Sequence, residues 1–213
     1  MASRAAQIPL PDRYDVRKAE ASQVAELAET LAHAFYDEPL ISWIAPNPSS
    51  RLAISRRGFE LWLRRVWLRH EETYIVGGPT AAPAGVCVWE PPGTWKMGAR
   101  EQLSLLPAML RASGRTLPRL LRALGTLEKD HPEEPHFYLP CIGVRPENRG
   151  QGGGSILMRP VLERCDDRKV PAYLEASSTR SRALYERHGF EVTEEIRPGR
   201  NGPPMWRMWR DPA

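Results

Sequence analysis

The residues richest in chemical content run from Val144 to Ser155: Arg149, Gly150, Gln151, then three glycines, Gly152 to Gly154, ahead of Ser155. An apolar, strand-like run precedes them and a helix-forming run follows. Glycines there let backbone N–H groups turn toward one point with no Cβ in the way. The N-terminus of the following helix adds about half a positive charge at the same spot. Such an arrangement seats a pyrophosphate. A loop that merely turns the chain fits the glycines equally well, and the pattern alone leaves both readings open. Two other phosphate motifs do not fit. No lysine follows Gly154, as a P-loop would need. Glu175 lies near the spacing of a Rossmann ribose acid, but the first glycine comes too late after Arg149 and the order of elements does not suit a doubly wound sheet.

The elements that must position this loop follow from hydropathy spacing. Tyr14 to Lys18 alternates as a short strand. Ser22 offers an N-cap for a helix to about Tyr36, with Val24, Leu27, Ala28, Leu31, Ala32 and Phe35 on one face. Residues 40–50 read as a loop or short helical turn, and Arg51 to Arg69 as a second helix. Tyr74–Val76 and Gly85–Trp89 form a hairpin across the Gly77, Gly78 and Pro79 breakers. Residues 98–128 are helical with an interruption near Gly114–Pro118 and an apolar stripe of Leu117, Leu120, Leu121, Leu124 and Leu127. A strand (137–144), helix (152–166), strand (172–176), helix (179–188) and two strands (190–196 and 205–209) complete a mixed α/β order.

Composition sets the outer bounds. The chain has 213 residues, 41% hydrophobic and 26% charged, enough for a sizeable core and unlike a disordered chain. Its net charge of +4 is too weak to name nucleic acid as a partner. Cys87, Cys141 and Cys165 are odd in number and widely spaced, which indicates neither a disulfide framework nor a zinc site. No metal is expected. With no apolar run long enough to span a membrane and no apolar block near Met1, a cytoplasmic location is expected.

Arg149 to Gly154 resembles the Q/R-x-x-G-x-G/A motif of the GCN5-related N-acetyltransferase (GNAT) superfamily. Tyr185, placed four residues before Gly189-Phe190, resembles that superfamily's second element, with the strand Ala172–Glu175 between the two. The specific resemblance covers residues 136–190. Tyr138-Leu139, Pro171 to Ser177 and Trp206 to Arg210 are further similar to actinobacterial enzymes related to puromycin N-acetyltransferase. The resemblance implies one GNAT domain over 1–213, with acceptor-side elements in 14–135 and the acetyl-CoA core in 136–213. Its fold would be a single mixed, mostly antiparallel sheet of six to seven strands flanked by helices. A splayed parallel strand pair would hold acetyl-CoA.

It also implies roles. Ile142, Gly143 and Val144 would line the pantetheine arm and offer an oxyanion N–H. Arg149, Gly150, Gln151, Gly152, Gly153, Gly154 and Ser155 would hold the pyrophosphate, so that a side chain at Gly152 or Gly154 blocks it. Tyr185 would protonate the departing thiolate. Ser178 and Ser181 stand where relatives often carry asparagine against the CoA arm. For the base, Glu175 faces the cleft, and His136 and His131 flank the strand, where a histidine titrates in the useful range.

The acceptor pocket is expected from the variable N-terminal half, with Tyr36, Asp37, Trp43 and Trp89 as candidates. Asp37 and Glu38 would attract a cationic amine, and tryptophan would stack on a ring. The function implied is acetyl transfer to the primary amine of a small molecule, directly, in a ternary complex. A protein or peptide acceptor is the alternative, and an acyl-CoA-binding sensor the alternative from another class. The exposed side of Arg51–Arg69 suits a solvated face or a homodimer interface equally.

Overall fold

The computed structural model describes residues 15–77 and 82–213. Tyr14, Gly78 and Pro79 therefore lie outside the described residues. The strands are β1 (Val16–Lys18), β2 (Thr73–Val76), β3 (Gly85–Glu90), β4 (Phe137–Val144), β5 (Ala172–Ala176), β6 (Glu191–Ile196) and β7 (Met205–Arg210). The helices are α1 (Val24–Ala34), α2 (Pro39–Ile44), α3 (Pro48–Trp62), α4 (Ala99–Ser113), α5 (Leu117–Glu128), α6 (Gly153–Arg168) and α7 (Thr179–Glu186). The strands form one seven-stranded sheet in the order β1-β2-β3-β4-β5-β7-β6. All neighbours are antiparallel except β4 and β5.

Helices cover both faces of the sheet. On one face, Leu157, Val161 and Cys165 of α6 and Tyr185 of α7 pack on Cys87, Trp89, Phe137 and Leu174. On the other, Leu27, Leu31, Phe59, Leu105 and Met109 pack on Ile75, Val86, Val88 and Cys141. Strand β3 lies between the two layers and is buried at all six positions. Two boundaries differ from those expected of the sequence. Ser22 lies in a short 3-10 turn, Ala21–Gln23, so α1 begins at Val24. Helix α3 starts at Pro48 with Asn47 as its cap, and beyond Trp62 the chain winds as a π-turn, Leu63–Trp67. All three cysteines are free and buried.

Two irregularities interrupt the ladders of the sheet. Between β3 and β4 the register steps from Val88↔Cys141 to Glu90↔Tyr138, so β4 carries an extra residue around Leu139 and Pro140. Between β6 and β7 it steps from Val192↔Met208 to Glu194↔Arg207, leaving Thr193 bulged near the sheet's outer edge.

Candidate active site

Parallel pairing of β4 with β5 ends at Leu139↔Leu174, although β4 runs on to Val144 and β5 to Ala176. The two strands part at the β4 bulge and leave a gap. Arg145 N–H donates to the Ala84 carbonyl at 2.9 Å. Backbone groups alternate sides along a strand, so those of Gly143 and Cys141 also face β3, while those of Ile142 and Val144 point into the gap. Gly143 has a different reason to be glycine. A Cβ there would lie 2.8 Å from Ala34 Cβ and 2.9 Å from Phe35, where α1 crosses β4.

The loop leading into α6 turns through left-handed glycines. Gly150 (φ +77°) and Gly152 (φ +81°) adopt a conformation that costs other residues energy, and no heavy atom lies within 4 Å of where their Cβ would be. Open space before a helix N-terminus is what a pyrophosphate seat requires. A Cβ at Gly154 would meet the Leu184 side chain at 3.0 Å, a packing reason for glycine beside the expected one. Its smallness lets α7 approach α6. Arg149 points away from the loop's mouth and donates to the Ala34 carbonyl at 2.6 Å. Gln151 donates to the Glu147 carbonyl at 3.5 Å, and Ser155 Oγ is 2.9 Å from His188 Nε2. The side chains of this loop thus brace it, and its backbone is what remains for an anion.

Tyr185 is buried in the α6–α7 layer, 6.0 Å from the Phe190 ring. Burial raises its pKa, and its hydroxyl makes no hydrogen bond to a described residue. Ser178 caps α7 by accepting from Ser181 N–H at 3.3 Å, and Ser181 accepts from Ser178 N–H at 3.1 Å. The Glu38 carboxylate accepts from Ser177 Oγ at 2.8 Å and from Ser178 Oγ at 3.1 Å. The sequence suggested only a general acidic role for Glu38. The structure makes it a tether from the α1–α2 turn to the start of α7.

The Glu175 side chain, on β5, is 4% exposed. It accepts from Tyr138 Oη and Tyr173 Oη, each at 2.9 Å. Burial raises its pKa to about 7, against the lowering by those two hydroxyls and by Arg207. His136 Nδ1–H donates to the Glu134 carbonyl at 2.6 Å, so its Nε2 accepts from His131 Nε2–H at 3.1 Å. Both imidazoles are neutral. Burial lowers the pKa of each, that of His131 to about 3. His131 Nδ1, 4.0 Å from Glu175, is therefore a neutral neighbour and not half of an ion pair. His136, expected to serve as base, is 1% exposed with both ring nitrogens already hydrogen-bonded.

A cavity of about 620 Å³ adjoins this cluster. It is walled by α3, α4, α5 and the Trp95–Met97 loop, and its polar end carries Glu90, Tyr138 and His131 beside Pro140 of the bulge. None of the four acceptor candidates lines it. Trp89 is 0% exposed and packs with α6 and α7 on the opposite face of the sheet. Strand alternation gives the cavity its neighbour Glu90 instead. Trp43 stacks with Arg119 at 5.8 Å and lines a smaller cleft with Pro198–Asn201. Tyr36 donates to the Pro48 carbonyl at 3.2 Å, and Asp37 is exposed on the α1–α2 turn. From α2 it is Leu40 and Ile44 that reach the cavity.

A parting parallel pair, a glycine loop at a helix N-terminus and a cavity at the parting point define an acyl-transfer fold. The family model for the acetyltransferase (GNAT) family matches residues 32–190, and the chain belongs to that family. It is therefore an N-acetyltransferase, and its family draws acetyl groups from acetyl-CoA. An uncharacterized N-acetyltransferase of Schizosaccharomyces pombe is 26% identical over 211 residues, covering 92% of this chain and 83% of that protein. Among solved structures, a Corynebacterium glutamicum protein described as histone acetyltransferase HPA2 and related acetyltransferase is 26% identical, with a TM-score of 0.72. That likeness covers 94% of this chain and 97% of the other. A Drosophila melanogaster polyamine N-acetyltransferase shares the fold at 18% identity and a TM-score of 0.65, covering 93% of this chain and 99% of its own. Among the described residues no cluster of His, Cys, Asp or Glu is arranged to hold a metal, and no helix is long and apolar enough to cross a membrane.

Proposed function

We propose that the chain acetylates the primary amine of a small molecule by direct transfer in a ternary complex. The observation that carries this reading is the junction at Pro140, where the β4–β5 gap meets a walled cavity lined by the buried Glu90 carboxyl. Helices α4 and α5 wall that cavity, which opens to solvent past Leu103 and Leu121, and its volume supports a small molecule as occupant. Acetyl-CoA, when bound, supplies the activated acetyl carbonyl and a thiolate leaving group. The backbone of residues 150–154 would hold its pyrophosphate. The Ile142 and Val144 N–H groups, facing the gap, are placed to steady negative charge on a carbonyl oxygen.

The incoming ammonium must shed a proton before its nitrogen can attack. Glu175 Oε2 is the acceptor we assign, with Tyr138 Oη relaying: the hydroxyl takes a proton on the cavity side and passes its own to the carboxylate. A base with a pKa of about 7 is matched to that task near neutral pH. Tyr185, whose raised pKa keeps its hydroxyl protonated, holds the proton for the leaving sulfur.

The test is thiol release from acetyl-CoA across a panel of amines and N-terminal peptides, with acetyl-CoA binding followed by calorimetry. Turnover of amines and not of peptides is expected. Peptide turnover alone would overturn the small-molecule reading, and absence of acetyl-CoA binding would overturn the transfer reading itself.

A further inference from the structure

We propose that the acceptor is a singly charged primary amine with a long apolar body, alkyl or arylalkyl, that lies along the α3–α4–α5 cavity with its ammonium against Glu90. The inference rests on the transferase reading and names its substrate class.

Three observations converge on it. First, the volume of about 620 Å³ suits a ligand well beyond the size of a short amine. Second, its walls are apolar in an unusual way. The α5 stripe closes on the core only in part: Leu120 and Leu124 pack against it half-buried, Leu121 is exposed, and together with Leu127 all of them line the cavity. At the surface the lining continues as Leu103 (65% exposed), Leu106 (37%) and Leu121 (41%). Leucines left in water on two adjoining helices are costly unless something apolar passes over them. Third, charge sits at one end. Glu90 is 4% exposed and in register with Tyr138; Trp67 hydrogen-bonds it and Arg69 attracts it from a distance, but no basic side chain lies within ion-pair distance of it among the described residues. A buried carboxyl in that state either keeps its proton or takes a cation. Burial indeed holds its pKa up at about 8. The other acidic group in the lining, Glu128, is exposed and already accepts from Gln102 at 3.1 Å. A polyamine's second charge would meet only that solvent-screened carboxylate or the leucines, a weaker partner than a buried acid.

Glu90 pairs with Tyr138, two residues before Pro140 on β4, so an ammonium there stands near the start of the β4–β5 gap. Trp62, Trp67 and Trp95 also line the cavity, which supplies an optical readout independent of turnover.

The experiment has two arms. In the first, tryptophan fluorescence is titrated with n-butylamine, n-hexylamine and n-octylamine without acetyl-CoA. Affinity should rise by up to about fourfold per added methylene. Leu121→Arg, at a position exposed enough to spare the core, should flatten that dependence. Glu90→Gln should weaken every amine by about ten- to hundredfold while leaving acetyl-CoA binding by calorimetry unchanged. In the second arm, kcat/KM is compared for n-octylamine, phenethylamine, agmatine and spermidine. Preference for the first two supports the proposal. Preference for agmatine or spermidine, or fluorescence titrations flat with chain length while acetyl-CoA still binds, overturns it. If acetyl-CoA does not bind, the transferase reading fails, and the fluorescence arm still decides whether the cavity takes apolar amines.

Discussion

In the proposed mechanism two side chains carry the proton traffic, and each predicts a separate outcome. Tyr185→Phe keeps the ring that packs on Phe190 and removes only the hydroxyl. Thiol release should fall by about 10²–10⁴-fold with little change in thermal midpoint. Glu175 must be ionised to accept a proton, so kcat/KM should rise with pH through about 7, and Glu175→Gln should abolish that limb. Stability should run the other way. Glu90 and Glu175 have folded pKa values of about 8 and about 7, both raised above 4.5. Between pH 4.5 and 8 the folded state thus binds more protons than the unfolded one. The stabilisation present below the unfolded pKa is lost as pH rises through the folded values. Thermal midpoints measured from about pH 5 to about pH 8.5 should fall, and less steeply in Glu90→Gln. Much of this chemistry was hard to read from sequence because it turns on single-residue parity. Trp89 and Glu90 are adjacent, yet one enters the core and the other the cavity. His131 and His136 are indistinguishable as loop histidines until the fold places the first on the cavity lining and the second off it.

At the scale of elements, the strands and helices that build the gap were legible because each obeys a local rule. Strand β4 alternates buried and half-buried along all eight residues, and the glycine loop announces the start of α6. What the local rules could not show is which face of an apolar stripe stays open. The α5 leucines read as core, and only the spacing of α3 and α4 around them leaves a cavity. The two glycines that pack helices were hidden for the same reason. Gly143→Ala would force α1 off β4 and should cost roughly 1–3 kcal/mol in urea denaturation. Gly152→Ala should instead leave the core intact, cost roughly 1–2 kcal/mol through its left-handed backbone, and weaken acetyl-CoA in calorimetry.

For the whole molecule, the longest-range contact at the site is the Glu38 carboxylate on Ser177 and Ser178, about 140 residues away in sequence. No spacing rule could have paired them. The contact joins the α1–α2 turn to the chain just after β5. Glu38→Ala should raise backbone hydrogen exchange both in the α1–α2 turn and at the start of α7. Faster exchange in only one of the two would show that the tether does not couple them.

The sheet is bounded by β1, three residues long, and by β6, which carries Glu191, Glu194 and Glu195 and the Thr193 bulge. An outer strand that is short, or acidic and kinked, is a poor template for a strand from another molecule. The chain can thus expose leucines on α4 and α5 while its outer strands offer little template for edge-to-edge pairing with another copy.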